Sequence, residues 1–300
     1  MKRRPLLGAC LLGLVAAARG QAATQVLQFG TSRIELRFDD GFDSGLIEDA
    51  LVWVHRAANT VVRYLGRLPL ARFEIMLQAL DGAGVKGGTA YPEPEPHLRI
   101  RLGRETRRAQ FADDWILVHE MLHLGVPQLA RPHRWLHEGI ATYAEGAARV
   151  LAGTNPAARW WDELVRGLPQ GQPQAGDRGL DHTPSWGRTY WGGALFCLLA
   201  DVQMRQASSA RLGLREALQG LLAAGASYAE AWPVERVLAV ADAAVGQTTL
   251  TRLYTRMKDQ PAAVDLDALW RELGVHKATA GGPRLDDGAP LAVVRRAIAS

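Results

Sequence analysis

Apolar residues recur at every second position in three short stretches, Ile34-Leu36-Phe38, Phe73-Ile75-Leu77 and Leu98-Ile100-Leu102. A period of two predicts strands with one buried face. In the first stretch the intervening residues are charged, and Val26 to Phe29 just upstream predicts a partner strand. The period then changes: Leu46, Ile47, Ala50, Leu51, Val54, Ala58, Val61, Val62 and Leu65 fall on one stripe of an amphipathic helix. Asp81 to Pro96, containing Gly and Pro, reads as a loop between the second and third stretches. A further helix is expected after Asp113 and Asp114, either of which can cap it, with Trp115, Ile116, Val118 and Leu122 burying it. Gly167 to Arg188, rich in Gly, Pro and Gln, reads as loop, and almost everything from Tyr190 to about Leu273 as helix. The tail around Gly281 to Gly288 reads as loose, before a short element from Pro290 to Ile298. This order predicts an α+β chain, with an α/β lobe over 23–152, a mainly helical lobe over 153–275 and a tail over 276–300.

The candidate chemistry sits on the helix after Asp114, in His119-Glu120-Met121-Leu122-His123. At 3.6 residues per turn His119 and His123 project from one face and can share a metal ion, while Glu120 lies roughly 100° round, beside a metal-bound water. Two ligands do not hold a catalytic zinc. The third is expected from Trp135-Leu136-His137-Glu138-Gly139-Ile140-Ala141-Thr142-Tyr143-Ala144-Glu145, after a gap broken by Gly125, Pro127 and Pro132. A metzincin would place glycine at 126 and histidine at 129; Val126 and Leu129 exclude that class. His133 and His137, at an Arg-rich loop or helix start, read as exposed or capping histidines, and His55, His97, His182 and His276 have no metal-spaced partner.

Val118 to His123 followed by Trp135 to Tyr143 resembles the gluzincin metallopeptidases, whose second motif is W-L-x-E-G-x-A-x-Y. The nearest group is the bacterial peptidase MA-like family, with the aminopeptidase N and glycyl aminopeptidase families more distant. The resemblance covers about residues 25 to 205. It implies a thermolysin-like two-lobed fold, a Zn2+ cofactor and Glu138, rather than Glu145, as third ligand, with Thr142 one turn on in support. It also implies a peptide or protein substrate. Tyr190-Trp191-Gly192-Gly193-Ala194 is similar to the Y-x-K-G-A segment that carries the transition-state tyrosine in those families, which makes Tyr190 the candidate oxyanion donor; Gly192 replaces the family lysine. In that chemistry zinc acidifies a water and Glu120 is the general base.

Substrate preference is less sharply drawn. In the related aminopeptidases a G-x-M-E-N edge strand holds the substrate's free amine, and the corresponding region, Gly87-Gly88-Thr89-Ala90-Tyr91, lacks that glutamate. Glu93 and Glu95 read as part of a solvated Pro-rich loop. An endopeptidase is therefore expected over an aminopeptidase. The alternative is a catalytically quiet zinc-containing envelope protein that binds a peptide or protein partner in its cleft.

Charge and cysteine content alter the picture only at the amino terminus. Lys2, Arg3 and Arg4, an apolar run from Leu6 to Ala18, and small residues from Gly20 to Ala23 read as a signal peptide over 1–22, so the protein is expected to be exported, periplasmic or secreted. Lipoprotein anchoring at Cys10 is the lesser reading. The 35 basic residues exceed the 31 acidic ones by four, and the leader itself contains four, Lys2, Arg3, Arg4 and Arg19. The mature chain is thus balanced and gives no reason to expect nucleic acid as a partner. After cleavage only Cys197 remains, in an apolar run that makes it a buried, inert thiol.

Overall fold

The computed structural model describes residues 24–276 and 284–300; the expected leader, Cys10 included, and residues 277–283 lie outside them. The alternating stretches form a five-stranded sheet in the order β1-β2-β3-β5-β4, from β1 (Thr24–Phe29), β2 (Ser32–Phe38), β3 (Arg72–Leu80), β4 (Val85–Tyr91) and β5 (His97–Gly103). β2, β3 and β5 run parallel, while β1 and β4 pair antiparallel at the two edges. Part of the expected loop from Asp81 to Pro96 is therefore a strand. Its Val85-Lys86-Gly87-Gly88-Thr89-Ala90-Tyr91 has no apolar alternation because this edge strand lines a cleft and only Val85 and Ala90 pack against the margin of the core.

The apolar positions of the alternating stretches, among them Ile34, Leu36, Ile75, Leu77, Leu98 and Ile100, are fully buried in one core with the apolar stripe of α1 (Ser44–Leu65). The opposite face carries Arg33, Glu35, Arg72, Arg37 and Glu74 as a solvated ion-pair ladder. α1 begins where the Asp43 carboxylate accepts from Leu46 N–H at 2.7 Å and ends at Gly66, whose φ of 82° suits a left-handed cap.

After the sheet come α2 (Ile116–His123), α3 (Arg134–Leu151) and α4 (Ala157–Gly167), and then α5 (Gly193–Ala207), α6 (Leu214–Ala223), α7 (Val234–Ala244), α8 (Thr249–Met257) and α9 (Leu266–Leu273). One continuous apolar core runs from the sheet through these helices, and Cys197 lies inside it with its thiol pushed far up by burial. A buried network ties α3 to α5 and α6: Tyr143 donates to Asp201 at 2.9 Å, Arg205 pairs with Asp201 at 2.8 Å, and Leu214 N–H donates to the same carboxylate. The element expected near the carboxyl terminus is α10 (Ala292–Ile298), and its Arg295 donates to the Leu273 and Gly274 carbonyls at the end of α9. The chain is thus α+β, a sheet half followed by a helical remainder.

Candidate metal centre

α2 is only eight residues long, and its start is fixed from outside. The Asp114 carboxylate accepts from Ile116 and Leu117 N–H at 3.1 and 3.2 Å and from Trp53 Nε1 at 2.9 Å, which ties α2 to α1. Asp113, the other candidate cap, instead pairs with Arg159 on the surface. Trp115 does not help to bury the helix as its apolar side chain suggests: it is 47% exposed, with its ring set edge-on to His119 at 5.6 Å.

α3 crosses α2 and brings Glu138 to the two imidazoles. Glu138 Oε2 lies 3.5 Å from both His119 Nε2 and His123 Nε2. Ligands about 2.1 Å from a tetrahedral zinc stand about 3.4 Å apart, so these three groups fit such an ion. They form a convergent His/Cys/Asp/Glu set with all ligand atoms within 4.8 Å of one another. Among the described residues the Nδ1 atoms of His119 and His123 have no hydrogen-bond partner, so packing orients the rings: Trp115 on His119, and the face of His137 on His123.

Burial alone would raise the Glu138 pKa, but the hydrogen bonds and charges of His119 and His123 override it and hold the carboxyl far below the usual range. Its second oxygen, Oε1, receives Nε and Nη2 of Arg134, one turn earlier, both at 3.3 Å. Glu120 stands outside the ligand set. Burial raises its pKa and the charge of Glu138 adds to the rise, against His123 and a hydrogen bond from the Ala90 backbone N–H on β4. Gly88 makes that seat possible, since a Cβ there would fall 2.6 Å from Glu120 Cγ.

Tyr190 reaches the cleft on a π-helical turn, Arg188–Gly192, at the start of α5. The approach depends on bare backbone: a Cβ on Gly139 would meet the Gly193 backbone at 2.3 Å, so the glycine after the third candidate ligand admits the segment that carries the tyrosine. Burial and the Glu138 charge raise the Tyr190 pKa, and a hydrogen bond from Arg134 opposes them. The buried Arg188–Asp177 ion pair at 2.8 Å anchors the same turn.

His119, Glu120, His123, Glu138 and Tyr190 thus line one cleft of about 360 Å³, with β4 as its wall. No hydrogen bond links Thr142 to Glu138 among the described residues; it lines a neighbouring cavity instead. His137 is buried rather than exposed or capping, parallel to the His123 ring at 4.4 Å and with its pKa well below the ordinary value because of burial and the neighbouring imidazoles. Glu93 and Glu95 face a different groove, among Glu35, Arg37 and Arg72 on the outer side of the sheet. Sequence reasoning missed Lys86, Arg134 and Tyr228. Arg134 was detectable as a cation four residues before Glu138, whereas Tyr228 reaches the cleft from a distant loop, its ring tilted by 30° against His137 at 5.0 Å.

No family model matches the sequence, and no curated protein matches it. Solved structures do. An aminopeptidase N family protein from Idiomarina loihiensis superposes with a TM-score of 0.59 at 13% identity, over 85% of this chain and 50% of that one. An M1 zinc metallopeptidase from Deinococcus radiodurans, in a point-mutant form, gives 0.53 at 15% identity, over 81% and 53%. A two-domain M1 zinc metallopeptidase with bound L-tryptophan gives 0.52 at 16%, over 81% and 53%. The fold is that of the zinc metallopeptidases of the M1, or aminopeptidase N, type, and the chain spans about half the length of these structures.

Proposed function

We propose that this protein is a zinc-dependent peptidase that hydrolyses internal peptide bonds. The observation that carries the reading is the convergence of Glu138 Oε2 on both imidazole Nε2 atoms at 3.5 Å, with Glu120 held against the set but outside it. His133, which faces Asp181, and His137 both stay out of the convergent group among the described residues. That favours an open fourth position over the closed four-ligand shell of a structural site, and so favours an enzyme over a quiet zinc-containing binding protein. In this reading the sheet half and the helical half are the two lobes of a thermolysin-like cleft.

His119, His123 and Glu138 would hold the ion. Zinc, when bound, supplies an acidified water and a Lewis acid for the scissile carbonyl. Glu120 accepts the proton of the attacking water and returns it to the leaving amine, and its raised pKa suits a group that must both take and give that proton. Tyr190 donates its hydroxyl proton to the developing oxyanion, with Arg134 holding the phenol in place.

The internal-bond preference rests on the cleft's charge. Among the described residues its lining carboxylates are Glu120 and Glu138, both engaged in the site, and Lys86 and Arg134 line the same cleft, so no carboxylate is left over to hold a substrate ammonium. Export to the periplasm or beyond is supported by the leader sequence, and among the described residues no helix is long and apolar enough to cross a membrane.

The test is zinc content by elemental analysis, after dialysis against a mild chelator, for the wild type and Glu138→Ala, together with cleavage of one peptide carrying a free or a blocked amino terminus. About one zinc per wild-type chain, lost in the variant, and cleavage of the blocked peptide are expected. Absence of zinc from folded, reconstituted protein overturns the peptidase reading, and zinc retained without cleavage of either peptide favours the quiet zinc-containing binding protein. Strict dependence on a free amine, as the aminopeptidase N neighbour's name suggests, overturns only the internal-bond preference.

A further inference from the structure

A second cavity, of about 460 Å³, opens directly off the metal cleft and shares Trp115, His119 and Tyr190 with it. Four indoles line it, from Trp115, Trp160, Trp186 and Trp191. Trp160 and Trp191 form the back, each seated on a glycine: a Cβ on Gly146 would lie 2.1 Å from Trp160 Nε1, and one on Gly167 would lie 2.2 Å from the Trp191 ring. Trp115 and Trp186 form the mouth. They are the two exposed tryptophans of the described chain, 47% and 62% accessible, and each leans on a side chain of the proposed site, Trp115 on His119 and Trp186 on Tyr190 at 5.8 Å.

The remaining lining decides what can enter. Six charged residues contribute to it, and every one has an opposite partner: Arg159 with Asp113 at 2.8 Å and Glu163 at 3.3 Å, Arg149 with Glu145 at 3.5 Å, and Arg166 with Asp162 at 2.6 Å. Arg149, whose partner Glu145 is protonated near neutral pH, is buried with only 5% of its side chain accessible, so no free charge stands at the mouth to select an ionic side chain, whereas broad aromatic faces are left bare there. Exposed indoles on a monomer surface lose free energy to water that a flat apolar occupant would recover, and ring-on-ring contact adds to that recovery. The geometry points to this cavity as the specificity pocket of the proposed peptidase, taking an uncharged aromatic side chain of the substrate beside the scissile bond. The assignment rests on the peptidase reading for its meaning but not for its test.

Alanine-based peptides, blocked at both ends and carrying a single Tyr, Trp, Leu, Arg or Glu at successive positions, are titrated against the Glu120→Gln protein, where binding is read without turnover. At one position Tyr or Trp should bind about 10- to 100-fold more tightly than Ala, the range expected from burying a large apolar side chain. Trp186→Ala and Trp115→Ala should each shrink that ratio several-fold, and Trp186→Phe should keep most of it. Equal binding of the aromatic and alanine peptides, tighter binding of the Arg or Glu peptide, or an unchanged ratio in both alanine variants overturns the pocket. The same series in kcat/KM with the zinc-loaded wild type separates the two claims. Aromatic binding without zinc or cleavage removes the peptidase reading and leaves the pocket standing, and cleavage without aromatic preference does the reverse.

Discussion

Glu138 and Glu145 stand two turns apart on the same side of α3, both largely buried, yet their protonation is driven in opposite directions. At Glu138, two imidazoles and a guanidinium surround the carboxylate and keep it ionised against the effect of burial. At Glu145, burial dominates, Arg149 at 3.5 Å gives only partial compensation, and the negative charge of Glu163 opposes ionisation; its pKa is raised to about 8. Depth below the surface therefore does not decide which carboxylate is available as an anionic ligand. The partners do, and they sit at the end of the helix that faces α2.

The contrast can be tested by neutralising its members in turn. The largest effect is expected for Glu120→Gln, where peptide cleavage should fall about 10²- to 10⁴-fold with zinc retained, measured as kcat beside elemental analysis. A fully active variant would show that the carboxylate against the ligand set is as idle as Glu145. Tyr190→Phe follows, with kcat expected to drop about 10²- to 10³-fold and zinc content unchanged; an unaltered kcat would reduce the tyrosine to packing. Arg134→Gln removes the partner of Glu138 Oε1 and should weaken zinc about 10- to 100-fold in competition with a chelator, the usual cost of losing a group that orients a ligand.

The smallest effect belongs to Glu145→Gln. Between about pH 4.5 and 8 the folded chain keeps a proton on Glu145 that the unfolded chain has released. Stability from this group is complete below that window and declines as pH rises through it. The substitution should remove a loss on the order of 1 kcal/mol at pH 8 relative to pH 5, less than the whole shift implies because Arg149 is adjacent and the cavity reaches the carboxyl. Denaturant unfolding at the two pH values measures it, and an equal difference between wild type and variant at both would refute the assignment.

The same contrast explains what could be read from the chain. His119, Glu120 and His123 were legible because helical periodicity alone puts them on adjoining faces, and Glu138 because its flanking residues form a motif. β2, β3 and β5 were legible because one face of each is buried and the other wet. β4 was hidden because its glycines leave room for Glu120, at Gly88, and for Arg101, at Gly87, instead of filling a core. The environment of His137 was hidden for another reason: only the crossing of α2 and α3 stacks it on His123. The tryptophan cavity draws on positions 115, 160, 186 and 191, whose convergence has no local signature.

The contact between Gly139 and Gly193 has a mechanical consequence. Where main chain rests on main chain there is no side-chain clearance to take up, so the spacing between the helix of Glu138 and the segment bearing Tyr190 is set by the backbone itself. Any change in the width of the cleft then falls to the opposite wall, formed by the edge strand with Lys86 and Gly88 and by the loop that delivers Tyr228.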